Sequence, residues 1–371
     1  MKRATRNKSI SSSIAITSTV PSSTDLDLFS SYSHEQVHIY DKLCSSISSL
    51  CELAYCTSEG ITICVPQTCQ RQSSTNSSTS CLLCPMLITR IPYPFQSSDQ
   101  NNSIANDSSS NKFFEKLKEK YLPNLYKAYK LRPTSLSSFD RLICSDLIQL
   151  KGFRSCSFSP LDASLNQGQS ILATISCANE LFIYEILSSS RRFFVSESSK
   201  LQIDLTKYLM ERCPIEKYLD DSQSEDHHRY LYFHLTSQII WNKTGTILFQ
   251  LQYSGHLIVW KFNRQNLFHE PFFSIIDTKI CKPSVMVSNE EKQLIIIFGK
   301  ENQRAVVHLD SEEVIVISSD QNDHMNTEHA QLILNDQKTL ILVESKMNYC
   351  FISTIDIKEK QVSLNDELFD K

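Results

Sequence analysis

A five-part phrase returns along this chain: a short apolar run, a polar turn, a second apolar run, another polar turn, and a third run. It reads QIIWNKTGTILFQLQYSGHLIVWKF over 238–262, SVMVSNEEKQLIIIFGKENQRAVVHL over 284–309 and AQLILNDQKTLILVESKMNYCFISTI over 330–355. Trp241, Val287 and Leu334 hold equivalent places in it, 46 and 47 residues apart. GFRSCSFSPLD (152–162) followed by ILATISCANELFIYEI (171–186) is an earlier copy, and SLCELAYCTSEGITICVPQ (49–67) fits the same template.

A unit of this length with three or four strands makes a small twisted sheet. Such a sheet cannot bury both faces alone, so its neighbours must stack on it around an axis. Alternation supports the strands: Ile247, Phe249 and Leu251 share one face, and Ile258, Trp260 and Phe262 share another. A β-sandwich also has many short strands, but regular spacing favours the wheel. The fold class is therefore all-β, a WD40-like β-propeller with about five blades readable. Strands are predicted near 153–159, 171–177, 180–186, 246–252, 255–262, 292–298, 304–309 and 338–344. The two tryptophans, Trp241 and Trp260, should lie buried between adjacent blades.

The gaps between units set the domain map. Residues 1–30 and 70–111 are rich in Ser, Asn and Gln and read as a disordered tail and a disordered insertion, because little apolar area is present to offset the ordering entropy. The propeller occupies 31–371. Within it, 112–131 reads as a helical segment whose Phe114, Leu117, Tyr121, Leu125 and Tyr129 form one stripe, kinked or split at Pro123. That stripe should pack on the wheel, and a partner-docking role is the alternative. A second insertion, 187–236, carries a helical LTKYLMERC and the acidic DDSQSEDHHR.

Composition closes off several function classes. The net charge is −4 and the pI about 6.2, so the bulk field gives no pull toward nucleic acid. Only six glycines occur, none in a G-x-G, which argues against phosphate-cradling loops. No apolar run approaches the roughly 18 residues of a membrane span, and the Arg- and Ser-rich start lacks an apolar signal core. That start has the composition of a transit peptide as well as of a solvated tail, and MKRATRNK fits a nuclear-import patch as well as a solubilising one. Thirteen cysteines without a secretion signal suggest free thiols in a reducing compartment, where sequons such as Asn242-Lys243-Thr244 carry no sugar.

Three constellations resemble metal sites. Cys64-x4-Cys69 with Cys81-x2-Cys84 offers four zinc ligands at loose spacing, while Cys56 and Cys64 sit in strand-like text as small core residues. HEQVH, from His34 to His38, matches the zinc-peptidase pattern, but Ser-rich text precedes it and no apolar helix frames it; QVHIYDKL reads better as an edge strand. Asp226, His227, His228 and His234 read better as a solvated acidic loop. No G-x-S-x-G elbow exists. No residue is put forward as catalytic, cofactor-binding or metal-binding.

GFRSCSFSPLD, ILATISCANELFIYE, LQIDLTKYLMERC and the 238–262 phrase, in that order, resemble the N-terminal propeller of the ninety-kilodalton (delta) subunits of general transcription factor IIIC. The likeness is best over 139–262 and weaker at 49–67. Its most specific part is the DLT-containing insertion between two blades. The resemblance implies a seven-bladed domain and a non-catalytic scaffold in the nucleus. Its partners would be the other subunits of that factor and the RNA polymerase III machinery, with DNA contacted only through the complex and no membrane role. The service would be transcription of transfer-RNA and other small-RNA genes. The family is also credited with histone acetyltransferase activity, which would bring acetyl-CoA as cofactor; the missing Gly-rich loop gives that no support here. Members carry a C-terminal zinc-binding region, and this chain ends soon after its fifth unit, so it reads as a shortened or incomplete member.

Overall fold

The computed structural model describes residues 45–48, 52–56, 60–66, 86–93, 109–137, 139–141, 143–144, 152–160, 169–189, 192–195, 199, 201–224, 226–263, 269, 271–289, 293–299, 303–317, 327, 329–334, 339–346, 349–358 and 361–369. They are mostly β and form five antiparallel sheets, each an up-and-down meander of strands taken in chain order. The first holds β1 (Ser45–Ile47), β2 (Leu53–Cys56), β3 (Gly60–Pro66) and β4 (Met86–Pro92). The second holds β5 (Phe153–Phe158), β6 (Gln169–Ser176), β7 (Glu180–Ser189) and β8 (Arg192–Val195), with β9 (Leu201–Asp204) on the same edge of β7. Thus the fourth position is split: β8 pairs with Ile186–Ser189 and β9 with Glu180–Ile183.

The third sheet holds β10 (Thr236–Trp241), β11 (Ile247–Gln252), β12 (His256–Lys261) and β13 (Phe272–Asp277). The fourth holds β14 (Val285–Asn289), β15 (Leu294–Phe298), β16 (Arg304–His308) and β17 (Glu313–Ile317). The fifth holds β18 (His329–Leu334), β19 (Thr339–Lys346), β20 (Tyr349–Lys358) and β21 (Gln361–Phe369). All eight strands expected from the repeat are present, and Trp241, Val287 and Leu334 all lie on first strands. The upstream phrase at 49–67 supplies β2 and β3; its first strand, β1, precedes it.

One expectation needs correction. The insertion 70–111 is not wholly without structure: Met86–Pro92 pairs along the whole of β3, and a helix begins at Ser109. The residues around β4 hid it, because a short MLITRIP between Ser-rich runs has no neighbouring alternation to frame it. The units have four strands, the upper of the two numbers expected, the fourth following the three-strand phrase. The expected tail at 1–30 lies outside the described residues.

Successive sheets pack face to face. Ala54, Ile61 and Ile63 meet Phe153, Leu172, Phe182 and Tyr184 across the first seam. Phe249, Leu251 and Val259 meet Met286, Ile295, Ile297 and Val307 across the third, and Leu294, Ile296 and Val306 meet Leu342 across the fourth. This explains why middle strands such as β15 are buried on both faces: each face looks onto another sheet. First strands lie beside first strands, β1 by β5, β5 by β10, β10 by β14 and β14 by β18. Among the described residues no strand pairing joins the fifth sheet to the first.

Every seam also carries polar pins. Ser170 Oγ donates to the buried Glu52 carboxylate at 2.8 Å across the first. Arg154 Nε donates to the Thr236 carbonyl at 2.9 Å and Trp241 Nε1 to the Ser157 carbonyl at 3.1 Å across the second. The Met286 N–H donates to Gln238 Oε1 at 2.7 Å across the third. Across the fourth, Arg304 and Glu344 form an ion pair at 2.7 Å with both side chains buried. Buried polar groups of this kind cost free energy unless paired, so they fix each sheet's position on its neighbour.

Candidate interaction surface

The second seam differs from the others because helices cover it. Ser109–Lys116 forms α1, Leu117–Tyr121 a wider π turn, and Pro123–Leu131 forms α2. Pro123 has no N–H to donate and its ring crowds the preceding turn. The chain answers by widening: the Leu122 N–H reaches back to the Leu117 carbonyl at 2.8 Å, and Leu122 leaves the helical region at φ −123°. The helix splits where Pro123 predicts. The second insertion supplies α3 (Leu205–Arg212), α4 (Ile215–Asp220) and α5 (His227–Tyr230).

Phe113, Phe114 and Leu117 of the first insertion share one core with Leu205, Leu209, Ile215 and Leu219 of the second, on top of Ile175, Ile183, Trp241 and Trp260. Tyr121 and Leu125 pack against it. Asp204 of the DLT phrase does two things here. Its Oδ1 accepts the Lys207 N–H at 3.1 Å, capping α3, and its Oδ2 accepts the Ser110 hydroxyl at 2.6 Å, holding the start of α1. Lys116 pairs with Glu216 at 2.6 Å and Lys120 with Asp220, which also accepts from the Tyr121 hydroxyl at 2.7 Å. The hydrogen bonds from Lys120 and then Tyr121 hold the Asp220 carboxyl below its ordinary range.

On its other side the platform is tied to the third sheet through Arg229. Its guanidinium bonds Asp226 at 2.9 Å and Asp277, and its Nε donates to the Ser254 carbonyl at 3.2 Å. Burial works against the Asp277 charge, but the hydrogen bonds from Arg229 and Lys279 outweigh it and hold the carboxyl far below the usual range. Tyr218 and Tyr230 stack at 4.4 Å, and Tyr230 and Phe233 both meet the His256 ring. Burial pushes His256 down to about 4.

The outer side of α2 is different. Pro123, Tyr126, Lys127, Lys130 and Leu131 fall at helical spacing on the side away from Leu125. With Lys118 and Glu119 they line a shallow, open depression of about 430 Å³. Leu131 is 71 % exposed, and the Lys130 ammonium lies 4.4 Å over the Tyr126 ring. Lys127 and Lys130 form no ion pair among the described residues, and Glu119 is the one carboxylate lining the depression.

Among the described residues no group of three or more His, Cys, Asp or Glu is placed to hold an ion. Cys56 and Cys64 are buried in β2 and β3 as small core residues, burial raising the Cys64 thiol; Cys69, Cys81 and Cys84 lie outside the described residues, as do HEQVH and the basic N-terminus. Asp226 is taken by Arg229 and His227 Nδ1 lies 3.3 Å from the Tyr218 carbonyl. His234 sits elsewhere, buried edge-on to Phe114 at 5.8 Å. Asn242, the head of a sequon, serves its own turn: its side chain binds Thr244, Thr246 and Ile247. The α2 surface was missed as a unit. Its signal, lysines spaced three apart beside Tyr126 and an unburied Leu131, reads in sequence as a solvated helix face.

No protein-family model matches the chain, and no curated protein matches it.

Proposed function

We propose that the five sheets are blades of a WD40-like β-propeller and that the chain is a non-catalytic scaffold subunit of transcription factor IIIC. It would work in the nucleus, binding other subunits of that factor and supporting RNA polymerase III transcription of transfer-RNA and other small-RNA genes. Several features support this reading. Consecutive four-stranded meanders, packed face to face with their first strands adjacent, suit a propeller.

The observation that carries the proposal is Asp204. The DLT phrase is the most specific part of the family resemblance, and its aspartate caps α3 while anchoring α1. It thereby holds a helical platform over one seam, between the two units where the likeness is strongest. A scaffold needs such rigid surfaces and no reactive centre. The histone acetyltransferase reading has no comparable observation behind it.

Affinity purification of the tagged chain from its own cells tests the proposal. Subunits of transcription factor IIIC should co-purify in salt-resistant, near-equal amounts; an eluate without them overturns it. Calorimetric titration with acetyl-CoA should give no saturable heat, and a saturable isotherm would restore the enzyme reading.

A further inference from the structure

We propose that the outer face of α2 is a docking site for an acidic peptide segment of a partner protein, anchored by one apolar side chain. The site is independent of which complex the chain joins. The inner lysines of this helical arm are spent: Lys116 and Lys120 are paired with Glu216 and Asp220 of α4. The outer cations are not. Lys127 and Lys130 form no ion pair among the described residues, and with Glu119 as the one carboxylate lining the depression they leave it net basic.

Between these charges the floor is apolar. Leu131 is 71 % exposed, and Pro123 and Tyr126 line the same depression. The weight rests on the combination: Leu131, Pro123 and Tyr126 form one apolar floor beside two unpaired lysines, with a single carboxylate, Glu119, in the lining. Charge complementarity fixes the sign of the partner, and the apolar floor fixes its class. A nucleic-acid backbone would neutralise the lysines but leave Leu131 and Pro123 against water. An acidic peptide with a leucine-like anchor satisfies both, as helix-face recognition commonly does. The Pro123 break makes the site, because it widens the turn that walls the depression on the Lys118 side.

The test uses the full chain and three fluorescent probes: an acidic peptide of about ten residues with a central leucine, the same peptide with serine there, and a short DNA duplex. The leucine peptide should bind saturably and more tightly than the serine peptide. The double variant Lys127→Glu, Lys130→Glu should weaken it by about tenfold or more and flatten its salt dependence. Leu131→Ser should bring the two peptides to equal affinity. All variants should melt with the parent, because these side chains lie outside the core. Equal binding of both peptides by the unmodified chain, no saturable peptide binding, or tighter DNA binding with the same lysine dependence would each overturn the proposal.

Discussion

Trp260 and His234 show how the same core treats two different polar edges. The Trp260 indole is 1 % exposed and donates to Gln250 Oε1 at 2.9 Å, while Gln250 Nε2 donates to Thr236 Oγ1 at 2.8 Å. Trp260→Ala should therefore cost about 3–5 kcal/mol from the cavity, and leave a buried amide oxygen unpaired besides. Chemical denaturation measures it; an unchanged midpoint would remove Trp260 from the core. His234 is buried with neither ring nitrogen hydrogen-bonded. Burial, and then the nearby Arg154 charge, push it down to about 3. A histidine with a depressed folded pKa binds its proton more readily when unfolded. Its contribution is therefore complete above about 6.5 and lost as pH falls through the window toward 3, at about 1.4 kcal/mol per unit. His256, at about 4, adds in the same direction. Melts from pH 7.5 down to 4.5 should show a steep fall that His234→Leu makes shallower; parallel curves would contradict it. Both tryptophans were legible as core from their place in the repeat. The buried His234 was not, because its surroundings come from α1, more than a hundred residues away.

Second and third strands were readable and fourth strands were not, for a physical reason. In β11, both faces are covered by neighbouring sheets, so Ile247, Phe249 and Leu251 alternate with Leu248 and two buried glutamines. In β17, EVIVI, the burial is only partial, and in β13 Phe272 stands 85 % exposed. Strands at a sheet's outer edge are only partly covered and need less apolar pattern. The helical stripe of the first insertion and its break at Pro123 were legible, but the basic outer face of α2 became visible only once α4 had claimed Lys116 and Lys120. Turns show the same economy. Gly255, between β11 and β12, has φ +82°, and a Cβ there would fall 1.6 Å from the Ile280 carbonyl oxygen. Gly255→Ala must move a backbone that Thr278 also binds, and should cost more than about 2 kcal/mol. Urea titration of the variant would show a lower midpoint; a parental midpoint would mean the turn can yield.

The assembly as a whole is held by its seams, and the fourth is the most exacting. Arg304 and Glu344 are buried together, with Thr327 Oγ1 donating to Glu344 at 3.1 Å. Glu344→Ala leaves a guanidinium buried without its counter-charge and should cost about 3–5 kcal/mol. Hydrogen exchange should show the fifth sheet opening first; protection equal to the parent's would argue that the pair is incidental. Replacing both partners by apolar residues should recover much of the loss. Each sheet is sewn internally by consecutive hairpins, whereas adjoining sheets are fastened by a few side-chain hydrogen bonds and interdigitated apolar faces. Under tension the molecule would then behave as a row of separately stitched pleats. Held by its two ends in an optical trap, it should lengthen in discrete steps, one repeat at a time: roughly 150–170 Å for the third and fourth sheets, and longer for the first and second, whose units carry the insertions. A single rupture releasing the full contour would mean that the pleats share one thread.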